Sequence, residues 1–197
     1  MSGVRRDRFL AAAAEAGWAV TGVEPLEVLA SYAKEALRGR GEVHCSTLQE
    51  ANLGRSFDAL TFWDVLEHVT EPLAFLADCA GLLKPGGYLF ANLPDIGSIQ
   101  ARLLGDRWPL LLAEHLNCFD RSTLKLCGEK AGLQWVALIG ARRHLRWSMS
   151  CIDCLNTEFL RACSRCWDSG PSATSKSVPA TSPRSVYWSR SSAMSHS

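Results

Sequence analysis

Residues 9–139 alternate between stretches with a helical apolar stripe and short runs that are apolar throughout, and this alternation leaves few folds open. A strand buried on both faces reads as an unbroken apolar run, and a helix between two such strands covers a face of their sheet. The alanines of "FLAAAAEAG" have the highest helix propensity, and Gly17 supplies the backbone freedom that ends a helix. Residues 18–23 then read as a short strand closed by an acid, Glu24. Pro25 suits a first helical position, and Leu26, Leu29, Ala33 and Leu37 form the stripe of a helix that closes near Gly39 and Gly41. Residues 43–45 read as a second short strand, followed by a brief helical segment over 48–53. "FDALTFWDV" has the pattern of a buried parallel strand. Thr70 is placed to cap a helix that starts at Glu71 and Pro72 and runs to Leu83, after which "KPGG" turns the chain into a strand over 88–92. Asp120 or Ser122 caps a further helix to Ala131, and Gly132 leads into a strand over 133–139.

Such a pattern predicts an α/β fold of Rossmann-like type, a mostly parallel sheet with helices on both faces. In a nucleotide-binding unit of that kind, the acid ending the second strand accepts hydrogen bonds from a ribose and follows a glycine-rich turn by roughly 20 residues. Counting back from Glu24 reaches "SGVRRDR", whose one glycine is Gly3. The first strand and its glycine loop are therefore expected ahead of Met1, leaving a sheet truncated at the N-terminus. That strand is central in this class, so the strands on either side of it are expected either to close up directly or to self-associate through exposed edges.

With 47% apolar and 21% charged residues in a 197-residue chain, one core of ordinary size is expected. A net charge of +1 argues against a dedicated nucleic-acid binder. No apolar run reaches the length of a membrane span, and Glu15 breaks the apolar stretch near the start, so a secretory signal is not expected either. Cys45, Cys79, Cys118 and Cys127 lie scattered among apolar neighbours, as reduced thiols do in a cytoplasmic protein.

The remaining cysteines, Cys151, Cys154, Cys163 and Cys166, fall in a segment of different character. A boundary near Trp147 separates a partial domain over 1–147 from a Cys-, Ser- and Arg-rich tail over 148–197. Paired C-x-x-C motifs at this spacing are a strong signal for a tetrahedral zinc site, and that alternative stays open. Here "LNTEFLRA" between the pairs reads as helix, and the loss of periodicity beyond them suits a disordered or non-native end. Within it, residues 186–188 are the one poor candidate for a final strand.

The run "FDALTFWDVLEHVTEPLAFLADCAGLLKPGGYLFANLPD", followed by "DRWPLLLAEHLNCFDRSTLKLCGEKAGL", resembles the class I S-adenosylmethionine-dependent methyltransferases, especially the branch of quinone-biosynthesis O-methyltransferases. The resemblance covers residues 8–139 and implies methyl transfer to a small-molecule acceptor. It implies Glu24 at the ribose hydroxyls, Thr47 and Leu48 with Ser46 along the adenine ring, and Asp64 toward the methionine end. Asp64, Glu67 and His68 form D-x-x-E-H, which in the quinone-pathway relatives resembles a set holding a divalent cation, with donors suited to Mg, Mn or Zn. The alternative is that Glu67 and His68 only orient the following loop. His68 and His115 are the candidate catalytic residues, His115 standing in the segment that in this family closes over the acceptor, with Arg107 and Trp108 along the same wall. A capping or packing role for His115 stays open.

Two other function classes compete with the enzyme. One is a non-catalytic remnant that acts as a binding or self-associating module. The other is a nicotinamide-dependent reductase, disfavoured because neither a Tyr-x-x-x-Lys pair nor a glycine fingerprint is present. Without a glycine loop the chain is expected to bind S-adenosylmethionine only at millimolar levels.

Overall fold

A computed structural model of the chain describes residues 3–140 and 184–190. They fall into two compact units, divided between Leu53 and Gly54, with residues 184–190 belonging to the second.

The first unit is built from α1 (Gly3–Glu15), β1 (Val20–Val23), α2 (Glu27–Leu37) and β2 (Gly41–His44). β1 and β2 pair in parallel, from Val20 opposite Gly41 to Val23 opposite His44. Parallel neighbours require a crossover, and α2 supplies it, burying Ala30, Ala33 and Leu37 along one stripe. The chain leaves α2 through Arg38 and Gly39, both in the left-handed region at φ 50° and 79°. Gly22 permits the close approach of α1 to β1, because a Cβ there would lie 2.9 Å from Leu10 Cδ2. α1 starts at Gly3, so "GVRRDR" is helical rather than a loop. The helical segment expected over 48–53 is a single turn closed by the Ala51 N–H donating to the Thr47 carbonyl at 3.0 Å.

The second unit holds β3 (Phe57–Trp63), α3 (Pro72–Leu82), β4 (Leu83–Leu93), α4 (Ile99–Leu104) with a 3-10 turn at Gly105–Arg107, α5 (Arg121–Lys130), β5 (Leu133–Gly140) and β6 (Arg184–Arg190). Its sheet has the order β3-β4-β6-β5. β3 and β4 are parallel, whereas β6 runs antiparallel to both of its neighbours. β3, β4 and β5 therefore share one direction and β6 opposes them, a mostly parallel Rossmann-like sheet. Leu66, Leu76, Leu83, Leu89, Leu133 and Trp188 are fully buried large apolar side chains of this unit.

Several expectations change here. "KPGG" does not precede the strand but forms a bulge inside β4, since Phe57 pairs with Leu83 and Ala59 already pairs with Tyr88. Gly86 has φ 79°, and a Cβ at Gly87 would meet the backbone oxygens of Asp58 and Lys84 at 3.0 Å, so the bulge needs both glycines. Lys84 donates to both carboxylate oxygens of Asp58 at 2.9 Å across it. Thr70 is not the cap of α3, whose N-cap is Glu71 without a side-chain hydrogen bond. α4, shorter than two turns, left no period to read in the sequence. Within the tail expected to be disordered or non-native, residues 184–190 form a regular strand between β4 and β5, and it contains the one candidate final strand, 186–188. The boundary near Trp147 and Cys151, Cys154, Cys163 and Cys166 lie outside the described residues.

β6 is fixed by one side chain above all. Trp188 is fully buried, meets Trp135 edge to face with ring centroids 5.8 Å apart, and lies against α5 at Gly128. A Cβ at Gly128 would sit 2.7 Å from Trp188 Cδ1. In an ordinary helix interior Gly128→Ala would stabilise by about 0.5–1 kcal/mol. Here the clash reverses the sign, and chemical denaturation is expected to show a loss of about 1–3 kcal/mol. Trimming the indole in the double variant Gly128→Ala, Trp188→Leu should leave the alanine nearly free of that penalty relative to Trp188→Leu alone.

Candidate active site

β3 ends at Trp63, and the next residue turns the chain out of the sheet. Asp64 has φ 49°, and its N–H donates to the Asn92 carbonyl at 2.8 Å, which ties the turn to the carboxyl end of β4. Carboxyl ends of parallel strands are where open α/β sheets bind ligands. Residues 65–69 follow as a tight loop, with the His68 N–H donating to the Val65 carbonyl at 2.9 Å. Glu67 is buried at 1% exposure, while the His68 side chain is exposed.

A second segment meets this loop. Beyond β4, Asp95 forms an isolated parallel bridge with Phe119, and the Ile96 N–H donates to the Phe119 carbonyl at 3.0 Å. The excursion over 96–118 is thereby closed at its base. Ser98 caps α4 by accepting from the Ala101 N–H at 3.1 Å, and Trp108 is buried as a packing residue while Arg107 is exposed. On the returning limb, Asn117 donates its backbone N–H to the Glu67 carbonyl at 3.1 Å and its side-chain Nδ2 to the Val69 carbonyl at 2.6 Å. The Glu114 carbonyl lies 3.0 Å from His68 Nδ1. His68 and His115 stand edge to face with ring centroids 4.8 Å apart.

A carbonyl oxygen can only accept, so the Glu114 contact places a proton on His68 Nδ1 and leaves Nε2 with its lone pair when the ring is neutral. That atom is suited to accept a proton or to ligate a metal. Glu67, His68 and His115 each offer a ligand atom, and all three atoms lie within 4.8 Å of one another. The D-x-x-E-H spacing gathers its three groups on one face only in a helix; here residues 64–68 form a bend and a turn. Asp64 stays outside the group, and His115 from the returning limb takes the third place. A carboxylate with two imidazoles is a nitrogen-rich set, which suits Zn or Mn better than Mg.

The other expected residues belong to the first unit. Glu24 follows β1, and its N–H extends the ladder by donating to the His44 carbonyl at 3.0 Å. Its carboxylate Oε1 accepts from the Leu26 N–H at 3.1 Å, which orients the half-buried acid at the strand end, as a ribose acceptor requires. Thr47 gives its N–H and its hydroxyl to the Glu50 carboxylate at 2.9 and 2.8 Å, while Leu48 is half-buried. The hydrogen bonds from Thr47, the backbone one foremost, hold the Glu50 carboxyl below its ordinary range. Sequence reasoning overlooked Glu50, although T-x-x-E is a capping-box signature. It also overlooked Asn92, which is buried at the carboxyl end of β4 with an Oδ1 that makes no hydrogen bond among the described residues. For a nucleoside ligand the fit lies at Glu24. Among the described residues no glycine-rich loop precedes β1, since Gly3 opens α1.

Comparison with known proteins bears on this arrangement. Residues 3–138 match the family described as a methyltransferase domain. A ubiquinone biosynthesis O-methyltransferase of Parvibaculum lavamentivorans is 44% identical over 76 residues, 38% of this chain and 28% of that protein. Among curated relatives of that description the chain covers between 16% and 38% of the partner's length. Among solved structures, a SAM-dependent methyltransferase of Archaeoglobus fulgidus aligns with 94% of this chain and 82% of its own at 15% identity and a TM-score of 0.62. Magnesium protoporphyrin IX methyltransferase of Synechocystis, solved with bound S-adenosylhomocysteine, aligns with 90% of this chain and 67% of its own at 16% identity and a TM-score of 0.56. At such identities the structural likeness establishes the fold.

The returning limb ends in the N-cap of α5. Asp120 accepts from the Thr123 N–H at 2.8 Å, the Thr123 hydroxyl at 2.7 Å and the Ser122 hydroxyl at 2.8 Å, and Thr123 completes the capping box. These bonds, that from the Thr123 backbone first, lower the Asp120 carboxyl from 3.8 to about 2. A depressed folded value means the cap stabilises fully above the unfolded value and is lost as pH falls through the folded one. Asp120→Ala is therefore expected to cost about 1 kcal/mol near neutrality. In urea denaturation the gap between the two proteins should shrink below a pH of 3.8 and vanish toward about 2.

Proposed function

The chain belongs to the methyltransferase-domain family, and from that premise we propose that it serves methyl transfer from S-adenosylmethionine to a hydroxyl group of a small-molecule acceptor, a precursor in ubiquinone biosynthesis. The observation that carries this reading is the His68 and His115 pair, with His68 Nε2 left as a lone-pair atom by the Glu114 carbonyl. When bound, S-adenosylmethionine carries a methyl group on a positively charged sulfur, ready for attack by an oxygen nucleophile. What the protein must add is in-line positioning and a place for the hydroxyl proton. His68 Nε2 accepts that proton, and His115 beside it shares the load. Glu24 holds the ribose hydroxyls, Leu48 with Thr47 flanks the adenine, and Asp64 serves the methionine end. Alternatively, Glu67, His68 and His115 would hold a divalent cation, Zn or Mn by donor type; His68 Nε2 would then be a ligand rather than the base, and the cation would polarise the acceptor's hydroxyl.

Identity over the 76 matched residues with the Parvibaculum relative supports an oxygen acceptor. The compartment we assign is the cytoplasm. Cys45, Cys79, Cys118 and Cys127 are free thiols, and burial pushes Cys79 up to about 12, where it stays protonated and inert. No described helix is long and apolar enough to cross a membrane. A second reading, a binding or self-associating module, draws on the position of β3 at the edge of its sheet.

One NMR titration separates these readings. With Gly3 in α1, two charge-assisted hydrogen bonds to the methionine end are forgone, about 3–6 kcal/mol together. That is roughly two to four decades of affinity, so the 197-residue chain should bind S-adenosylhomocysteine near millimolar. Amide shifts are expected at Glu24, Thr47 and Leu48, and Glu24→Ala should abolish them. No shift at saturating ligand, with the chain running as a dimer in gel filtration, would favour the second reading instead. In a separate sample, added Mn should broaden the ring signals of His68 and His115 before any others; broadening elsewhere first would remove the cation from the proposal.

A further inference from the structure

Asn117 makes two hydrogen bonds, and their acceptors are the carbonyls on either side of His68: Glu67 at 3.1 Å and Val69 at 2.6 Å. Three residues back on the same limb, the Glu114 carbonyl meets the His68 ring. The limb therefore grips both the backbone around His68 and its imidazole. We propose that Asn117 is the positioning residue of this site, holding the loop against the returning limb so that His68 stays in its Nδ1–H form with Nε2 as the reactive atom.

The physical argument begins with exposure. The His68 ring is exposed, and a solitary hydrogen bond at such a place is offset by competing water and by the freedom of the side chain. The Glu114 contact cannot by itself hold the ring. It becomes effective when the backbone on both sides of the residue is already fixed, and the Asn117 bonds do this, the one to Val69 being partly buried. The limb in turn cannot drift, because it is anchored two residues later by the Phe119 bridge to Asp95 and then by the Asp120 cap. Residue type matters at this point. A carboxamide presents an N–H to the Val69 carbonyl, whereas an aspartate of the same shape would set oxygen against oxygen. Leucine or alanine would leave the carbonyl without that donor.

The catalytic meaning of this device rests on the function proposed above, but its test does not. Long-range proton–nitrogen spectra of the imidazole rings, recorded on the full chain at a pH where they are neutral, distinguish a protonated Nδ1 from a protonated Nε2. The unsubstituted protein should show His68 with its proton on Nδ1; a proton on Nε2 would overturn the proposal without any variant. In Asn117→Asp the ratio of the two forms should move about tenfold toward Nε2–H, the equivalent of one lost hydrogen bond. Leu116→Ala, at an exposed neighbouring position, should leave the spectrum unchanged. A folded Asn117→Asp protein with an unaltered His68 signature would likewise refute it. If Asn117→Asp does not fold, the spectrum of the unsubstituted chain and that of Asn117→Ser, which shortens the side chain without adding charge, decide the matter in the same way. Where methyl transfer is measurable, kcat should fall about tenfold with KM for S-adenosylmethionine unchanged, since Asn117 touches neither ligand in this scheme.

Discussion

The ladder between β4 and β6 is the constraint on which the second unit depends. Residues 88–93 of β4 pair with 184–189, and β5 pairs with the other side of the same strand. A buried backbone group without a partner costs as much as a lost hydrogen bond, so a sheet this apolar needs β6 in its interior. Trp188 then converts backbone pairing into packing. Its indole fills the space between Trp135 on β5 and Gly128 on α5, and the glycine is what lets the helix come down onto the sheet. Arg190 closes the end of the strand by donating to the carbonyls of Gly81 and Leu83 where α3 passes into β4.

With β3 and β4 held in register, their carboxyl ends lie side by side, and the candidate site grows from that edge. The left-handed turn at Asp64 breaks the strand, while the bond from its N–H to the Asn92 carbonyl keeps the break tied to the neighbouring strand. From there the site needs no regular element. It consists of a tight loop and the returning limb of a long excursion, each of them short of internal backbone bonds and each using the other's carbonyls. The excursion also carries exposed leucines and isoleucines, among them Ile99, Leu103 and Leu116, over a base fixed at Asp95 and Phe119 and by the bonds of Asn117. Precision is thus concentrated at the base, beside His68 and His115.

The electrostatics follow the same division. Asp120 and Glu50 owe their lowered carboxyls to caps and turns, so their charge is spent on shaping the chain. At the histidine pair the relevant control is directional: a backbone carbonyl decides which nitrogen carries the proton. Such control costs no buried charge and survives solvent exposure as long as the backbone that presents it is rigid.

The alternation of stripes and apolar runs determined the Rossmann-like class, the position of each strand from β1 to β5 and the acid at the end of β1, because those features follow from local propensity and burial period. Asp120 was readable as a cap for the same reason, since its partners lie within three residues. β6 was only faintly readable: residues 186–188 were the one poor candidate for a final strand, because "RSVYWSR" carries a short apolar pattern and its stability comes from two neighbours distant in the chain. The site shows the same boundary. Spacing alone offered Asp64, Glu67 and His68, but spacing assigns neighbours only where the backbone is regular, and here it turns at a positive φ. Which third group joins Glu67 and His68 was decided by the fold, through the Phe119 bridge and the Asn117 bonds that carry His115 back across almost fifty residues of chain to meet them.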